Sequence, residues 1–154
     1  MKPRLLLVDD DPAVREMIGR VLTEAGHIVL FAANGEAALD LASATEVDLV
    51  LLDLNMPVKS GWDTFERLTT ENPLLPVIII TARPNQLFPA LASGVGALME
   101  KPLDFPKLLK TIRLLLDEPV AKRLARITGK AAELHYIRAQ QQPGPQHAQS
   151  GIRQ

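Results

Sequence analysis

The sequence predicts an α/β fold: a doubly wound, five-stranded parallel sheet with helices on both faces. Two observations carry this. Short apolar runs, several of them apolar at every position, alternate along the chain with longer stretches of helical period. Strands buried on both faces and separated by helices pair in parallel, with right-handed crossovers.

The strand candidates are "RLLLV" (4–8), "IVLFA" (28–32), "VDLVLLD" (47–53), "PVIIIT" (76–81) and "ALMEK" (97–101). Between the first two, Asp11 suits an N-cap and Pro12 the first helical position. Val14, Ile18, Val21 and Leu22 then form one apolar stripe that ends near Gly26. Asn34 can cap a helix over 35–44 with Ala38, Leu41 and Ala42 inward. A helix from Gly61 to about Thr70 carries Trp62, Phe65 and Leu68. Pro89 opens a short helix to Ser93, and Asp104 caps one over 105–115, where Phe105, Leu108, Leu109, Ile112 and Leu115 recur.

The 154 residues suffice for one ordinary domain, and 47% apolar content suffices for its core. With aromatics at 4%, that core is mostly Leu, Ile, Val and Ala. There is no cysteine, which excludes disulfides, thiolate metal sites and cysteine nucleophiles and fits a reducing compartment. The apolar run in "MKPRLLLVDDD" stops at acids after four residues, too short for the core of a secretion signal. No run approaches the length of a membrane span, so the reading is a soluble, cytoplasmic protein.

Charge is unevenly spread. Residues 1–118 sum to −6 and residues 119–154 to +5, giving the net −1. An acidic domain is followed by a basic extension. In it Val120, Leu124, Ile127, Ala131 and Leu134 follow a 4-3-4-3 spacing, which predicts an amphipathic basic helix within 119–139, over 120–138. From 140 to 154 the Gln, Pro and Gly content reads as disorder. Residues 119–154 are too few for a DNA-binding module with its own core, and packing or self-association as a homodimer is the simpler use of the helix.

Ligands of doubly wound sheets bind beyond the carboxyl ends of the strands. Asp9, Asp10 and Asp11 end the first strand, Asp53 the third, Thr81 the fourth and Lys101 the fifth. Clustered carboxylates repel one another unless a cation neutralises them. Oxygen donors of this kind suit a hard divalent ion such as Mg²⁺, with Lys101 as a second counter-charge. Asp11 is spent on capping, which leaves Asp9 and Asp10 as the site pair. Each residue alone has a plainer explanation as a turn, strand or solvated residue; the conjunction carries the site. His27, His135 and His147 are scattered and have no partner at ligand spacing.

In this order and strand context, "LLLVDDDP", "LVLLDLNMPVKSGWD", "IIITA" and "MEKPLD" resemble the successive signatures of bacterial response-regulator receiver domains, the CheY-like family. The resemblance covers about residues 3–117. It implies a flavodoxin-like strand order 2-1-3-4-5 and a receiver domain over 1–118. It further implies a phosphoryl group taken by Asp53 from a sensor histidine kinase or histidine phosphotransfer protein. By the same resemblance Asp10 is a direct Mg²⁺ ligand beside Asp53, Asp9 acts through water, and Asn55 offers its backbone carbonyl. Thr81 and Lys101 would bond the phosphoryl oxygens, and Pro102 matches a proline whose peptide is often cis in that family. Gly61 fits a tight loop-to-helix junction.

Two departures bear on output. Leu98 stands where many receivers keep a Tyr or Phe, so no aromatic flip can report phosphorylation. The segment from Thr81 to Lys101 is also slightly short, with Pro84 and Pro89 limiting its helix. Two other classes compete with a signalling receiver. One is a Mg²⁺-dependent phosphohydrolase, which usually carries a "DxD" nucleophile after its first strand and a cap domain. The other is a receiver-like scaffold that is never phosphorylated.

Overall fold

Five parallel strands form in the order β2-β1-β3-β4-β5, and a sixth extends the sheet beyond β5. They are β1 (Arg4–Val8), β2 (Ile28–Ala32), β3 (Leu49–Asp53), β4 (Val77–Thr81), β5 (Ala97–Glu100) and β6 (His135–Ile137). The helices are α1 (Pro12–Glu24), α2 (Gly35–Ala44), α3 (Gly61–Glu71), α4 (Phe105–Leu116) and α5 (Val120–Ile127). This computed structural model describes residues 2–56, 61–82, 85–86, 89–90, 93–129 and 134–140. Among them no helix is long and apolar enough to cross a membrane.

Strand alternation divides the core into two layers. Leu6, Val8, Val50, Leu52, Val77, Ile79 and Leu98 point to one face and pack with Ala38 and Leu39 of α2 and Phe65 and Leu68 of α3. Leu5, Leu7, Leu49, Leu51, Ile78, Ile80 and Met99 point to the other, against Ile18 and Leu22 of α1 and Leu108, Ile112 and Leu115 of α4. Covering both faces accounts for strands in which every residue of β3 and β4 is buried.

The caps form as the sequence predicts. Asp11 Oδ1 accepts from the backbone N–H of Ala13 at 2.9 Å, Asn34 Oδ1 from Ala37 at 2.9 Å, and Asp104 Oδ1 from Lys107 at 3.1 Å. Each satisfies a helix N–H that would otherwise lack a partner. Pro89, Ala90 and Ser93 have helical backbone; the remainder of the helix expected there lies outside the described residues, as does the disorder expected over 140–154 apart from Gln140, whose N–H donates to Pro102 O at 2.9 Å.

The extension departs from the expectation of one amphipathic helix over 120–138. Helix α5 ends at Ile127, and Gly129, at φ 73°, takes the chain out of helical geometry. The next described residues add β6 to the open edge of β5, in the register Ala97↔His135, Leu98↔Tyr136 and Met99↔Ile137. The sheet edge offers unpaired N–H and C=O groups, and Tyr136 and Ile137 have strand-forming side chains.

The faces of α5 also reverse the amphipathic expectation. Val120, Leu124 and Ile127 are 53%, 48% and 40% exposed, while Arg126 is buried. Arg123 turns inward, donating to Leu115 O at 2.9 Å and Leu116 O at 3.3 Å. Polar contacts to the end of α4 therefore decide how this helix docks.

Candidate functional site

The carboxyl ends of β1, β3, β4 and β5 bring the acidic, hydroxyl and ammonium side chains onto one rim. Register does this. Val8 pairs with Leu52, Asp53 with Ile80 and Thr81 with Glu100, so the residues that follow each strand arrive at the same level.

Asp9 leaves β1 with its N–H donating to Ala32 O at 3.1 Å. Its carboxylate is fixed by the Asp11 N–H, 3.0 Å from Oδ1, and its carbonyl by Arg15 Nη1 at 2.8 Å. Asp53, the last residue of β3, is 2% exposed. Its Oδ1 accepts from the Asn55 N–H at 2.9 Å, and its Oδ2 lies 3.0 Å from Lys101 Nζ. The same ammonium is 3.9 Å from Asp9 Oδ2. Thr81 is fully buried, and its carbonyl accepts the Lys101 N–H at 2.9 Å, which joins the ends of β4 and β5.

Asp10 is exposed on the outer side of the cluster. Carboxylate oxygens of Asp9, Asp10 and Asp53 all lie within 4.8 Å of one another. Three carboxylates thus face one ammonium, and the surplus negative charge acts on Asp9. Its carboxyl is pushed up to about 6, first by burial and then by the charge of Asp53 and a hydrogen bond to it. The Asp11 N–H and Lys101 pull the other way.

This donor set fits a hard divalent cation: oxygen only, anionic, and open to solvent on the Asp10 side. Asn55 borders it, and its Oδ1 is buried with no hydrogen-bond partner among the described residues. The peptide between Lys101 and Pro102 is cis.

Asp9, Asp10, Asp53 and Lys101 meet here, with Thr81 at the adjoining end of β4. Asp11 stays apart as the α1 cap. Arg15 was not singled out; a lone Arg in the first turns of a helix gives no signal that it will hold the carbonyl behind the cluster. Leu98 is 1% exposed and belongs to the core.

Comparison with known proteins agrees with this geometry. Residues 5–113 match the family model described as the response regulator receiver domain. The response regulator MprA of Mycolicibacterium vanbaalenii is 36% identical over 118 residues, 75% of this chain and 51% of that protein. The transcriptional regulatory protein CusR of Escherichia coli is 34% identical over 120 residues, 77% of this chain and 53% of that protein. The chain spans about half the length of these curated relatives.

Among solved structures, a CheY-like receiver domain protein from Methanospirillum hungatei has a TM-score of 0.74 at 27% identity, covering 79% of this chain and 98% of that one. The response regulator protein TrrA of Thermotoga maritima, solved in complex with Mg(2+)-BeF, has a TM-score of 0.69 at 30% identity, covering 75% and 99%. The chain belongs to the response regulator receiver domain family of two-component systems.

Proposed function

We propose that Asp53 is the phosphoacceptor and that the chain signals by the state of that residue. The donor is a phosphohistidine of a sensor histidine kinase or of a histidine phosphotransfer protein. The observation that carries this reading is the buried Asp53 carboxylate, held 3.0 Å from the Lys101 ammonium among acids that converge within 4.8 Å.

An Asp53 carboxylate oxygen attacks phosphorus as the P–N bond of the phosphohistidine breaks. The bonding pair leaves with the imidazole nitrogen, so protein and donor exchange one phosphoryl group and nothing else. The Asn55 N–H on Oδ1 and Lys101 on Oδ2 fix the carboxylate for in-line approach. Thr81 and Lys101, adjacent at the ends of β4 and β5, meet the phosphoryl oxygens as charge builds on them. Asp9, Asp10, Asp53 and the Asn55 carbonyl would hold Mg²⁺, which when bound offsets the repulsion between the phosphoryl group and the carboxylates.

Incubation with acetyl phosphate and Mg²⁺ should add one phosphoryl group, labile to hydroxylamine as an acyl phosphate is. Asp53→Asn should abolish it. An equally labile phosphoryl group on that variant would place the nucleophile elsewhere. Steady turnover of a simple phosphomonoester would favour a phosphohydrolase, and failure to form any acyl phosphate a scaffold. The exposed Val120, Leu124 and Ile127 have the 4-3 spacing of a two-helix seam, which supports pairing with a second copy. Light scattering on the full chain and on Leu124→Asp tests it: a dimer that persists in the variant removes α5 as the interface.

A further inference from the structure

The last strand is fastened at the site end of β5 by more than its ladder. Its own pairing is short: three residues in register, with His135 N–H donating to Gly96 O at 3.1 Å. Beyond it, Tyr136 Oη donates to Glu100 Oε2 at 2.8 Å, and the Ala139 N–H donates to Glu100 Oε1 at 3.2 Å. The Gln140 N–H donates to Pro102 O at 2.9 Å. Glu100 and Pro102 are the two neighbours of Lys101, whose ammonium lies on Asp53.

We propose that residues 135–140 form a strap whose attachment to β5 is coupled to the filling of the acidic site. The proposal rests on the reading of Asp53 as phosphoacceptor. A phosphoryl group on Asp53 gives Lys101 and Thr81 new oxygens to bond. The two residues are joined by the Lys101 N–H to Thr81 O bond, so they close as one unit. Closure carries the backbone on either side of Lys101, which is where the strap is tied.

The bonds from Tyr136 and Ala139 end on one carboxylate, so a single displacement of Glu100 weakens both. Among the described residues, Ile137 and the flanking Leu134 add only partly buried apolar contacts. His135 and Tyr136 are exposed, Ile137 is half-buried and the ladder has three rungs, which puts the segment at the low end of local stability. A filled site therefore releases the strap, and an attached strap opposes filling, since one coupling free energy acts in both directions.

Hydrogen exchange on the full chain with Mg²⁺, with and without beryllofluoride, reads the first direction. The amides of His135, Ala139 and Gln140 should exchange on the order of tenfold faster when the site is filled, and Asp53→Asn should show no such change. Tyr136→Phe reads the second: its beryllofluoride affinity should rise several-fold while protection of β1 and β3 stays as in the parent. Fluorine NMR reports bound beryllofluoride independently of the strap. Bound beryllofluoride with unchanged or slower exchange at 135–140, or unchanged affinity in Tyr136→Phe, overturns the strap and leaves the phosphoacceptor reading intact. Failure of acetyl phosphate to add a phosphoryl group, together with no bound beryllofluoride, overturns both.

Discussion

Arg126 grips Glu118 with both terminal guanidinium nitrogens, at 2.6 and 2.8 Å, in a pair whose side chains are 7% and 9% exposed. Arg123 adds a second cation 3.8 Å from the same carboxylate. Breaking such a pair strands a buried charge, whereas replacing both partners by apolar residues need not destabilise. Arg126→Met should therefore cost about 3 kcal/mol in urea unfolding. Glu118→Leu combined with Arg126→Met should recover a good part of that loss. A single variant as stable as the parent would mean that the pair does not fasten α5.

Stability should depend on the ionisation of Asp9. Its folded value of about 6 lies above the ordinary Asp value of 3.8. A raised value means that the folded state binds the proton more tightly. The stability this contributes is present at low pH and is lost as pH rises from about 4 through 6, by up to about 3 kcal/mol. Asp9→Asn removes the ionisable group, so without Mg²⁺ at pH 7.5 it should unfold at a higher urea concentration than the parent. Near pH 4 the two should converge, and a gap of the same size at both pH values would contradict this cause.

Mg²⁺ should compete with Lys101. The ammonium sits 3.0 Å from Asp53 Oδ2 and 3.9 Å from Asp9 Oδ2, where it repels a second cation. Lys101→Met should tighten Mg²⁺ binding by roughly tenfold and slow phosphorylation by acetyl phosphate by roughly a hundredfold. Mg²⁺ titration followed by Trp62 fluorescence and a phosphorylation time course separate the two effects. Weaker Mg²⁺ binding in the variant would show that Lys101 organises the carboxylates rather than competing for them.

The residue opening α3 has no room for a side chain. A Cβ at Gly61 would lie 2.8 Å from Leu54 Cα and 3.1 Å from Asp53 O, both backbone atoms of the turn that carries the Asp53 carboxylate. Gly61→Ala should cost about 1–3 kcal/mol of stability and slow phosphorylation, because relief requires the turn behind Asp53 to move. Unfolding and acyl-phosphate formation measure both, and parental values for the two would show that the turn yields freely.

The sheet, its helices and the rim were legible because each rests on local signals. Runs such as "VIIIT" and "LVLLD" are buried on both faces wherever they occur in a parallel sheet, and Asp11, Asn34 and Asp104 cap their helices with atoms two or three residues away. Once strands alternate with helices, chain order alone sends Asp9, Asp53, Thr81 and Lys101 to one edge. Family signatures then supplied roles that spacing could not.

The apolar spacing of the extension does not foretell its packing. A 4-3 apolar spacing predicts a buried stripe only when apolar contacts decide the docking, and here they do not. Glu118 and the carbonyls of Leu115 and Leu116 draw Arg123 and Arg126 inward, and Val120, Leu124 and Ile127 turn to solvent. Likewise, "HYI" becomes a strand because β5 leaves an edge unpaired at its side. The parallel sheet and the acidic rim follow from periodicity and chain order. Which face of α5 is buried and where the chain returns to the sheet emerge only on folding, because both depend on groups of other elements whose unpaired polar atoms must be met.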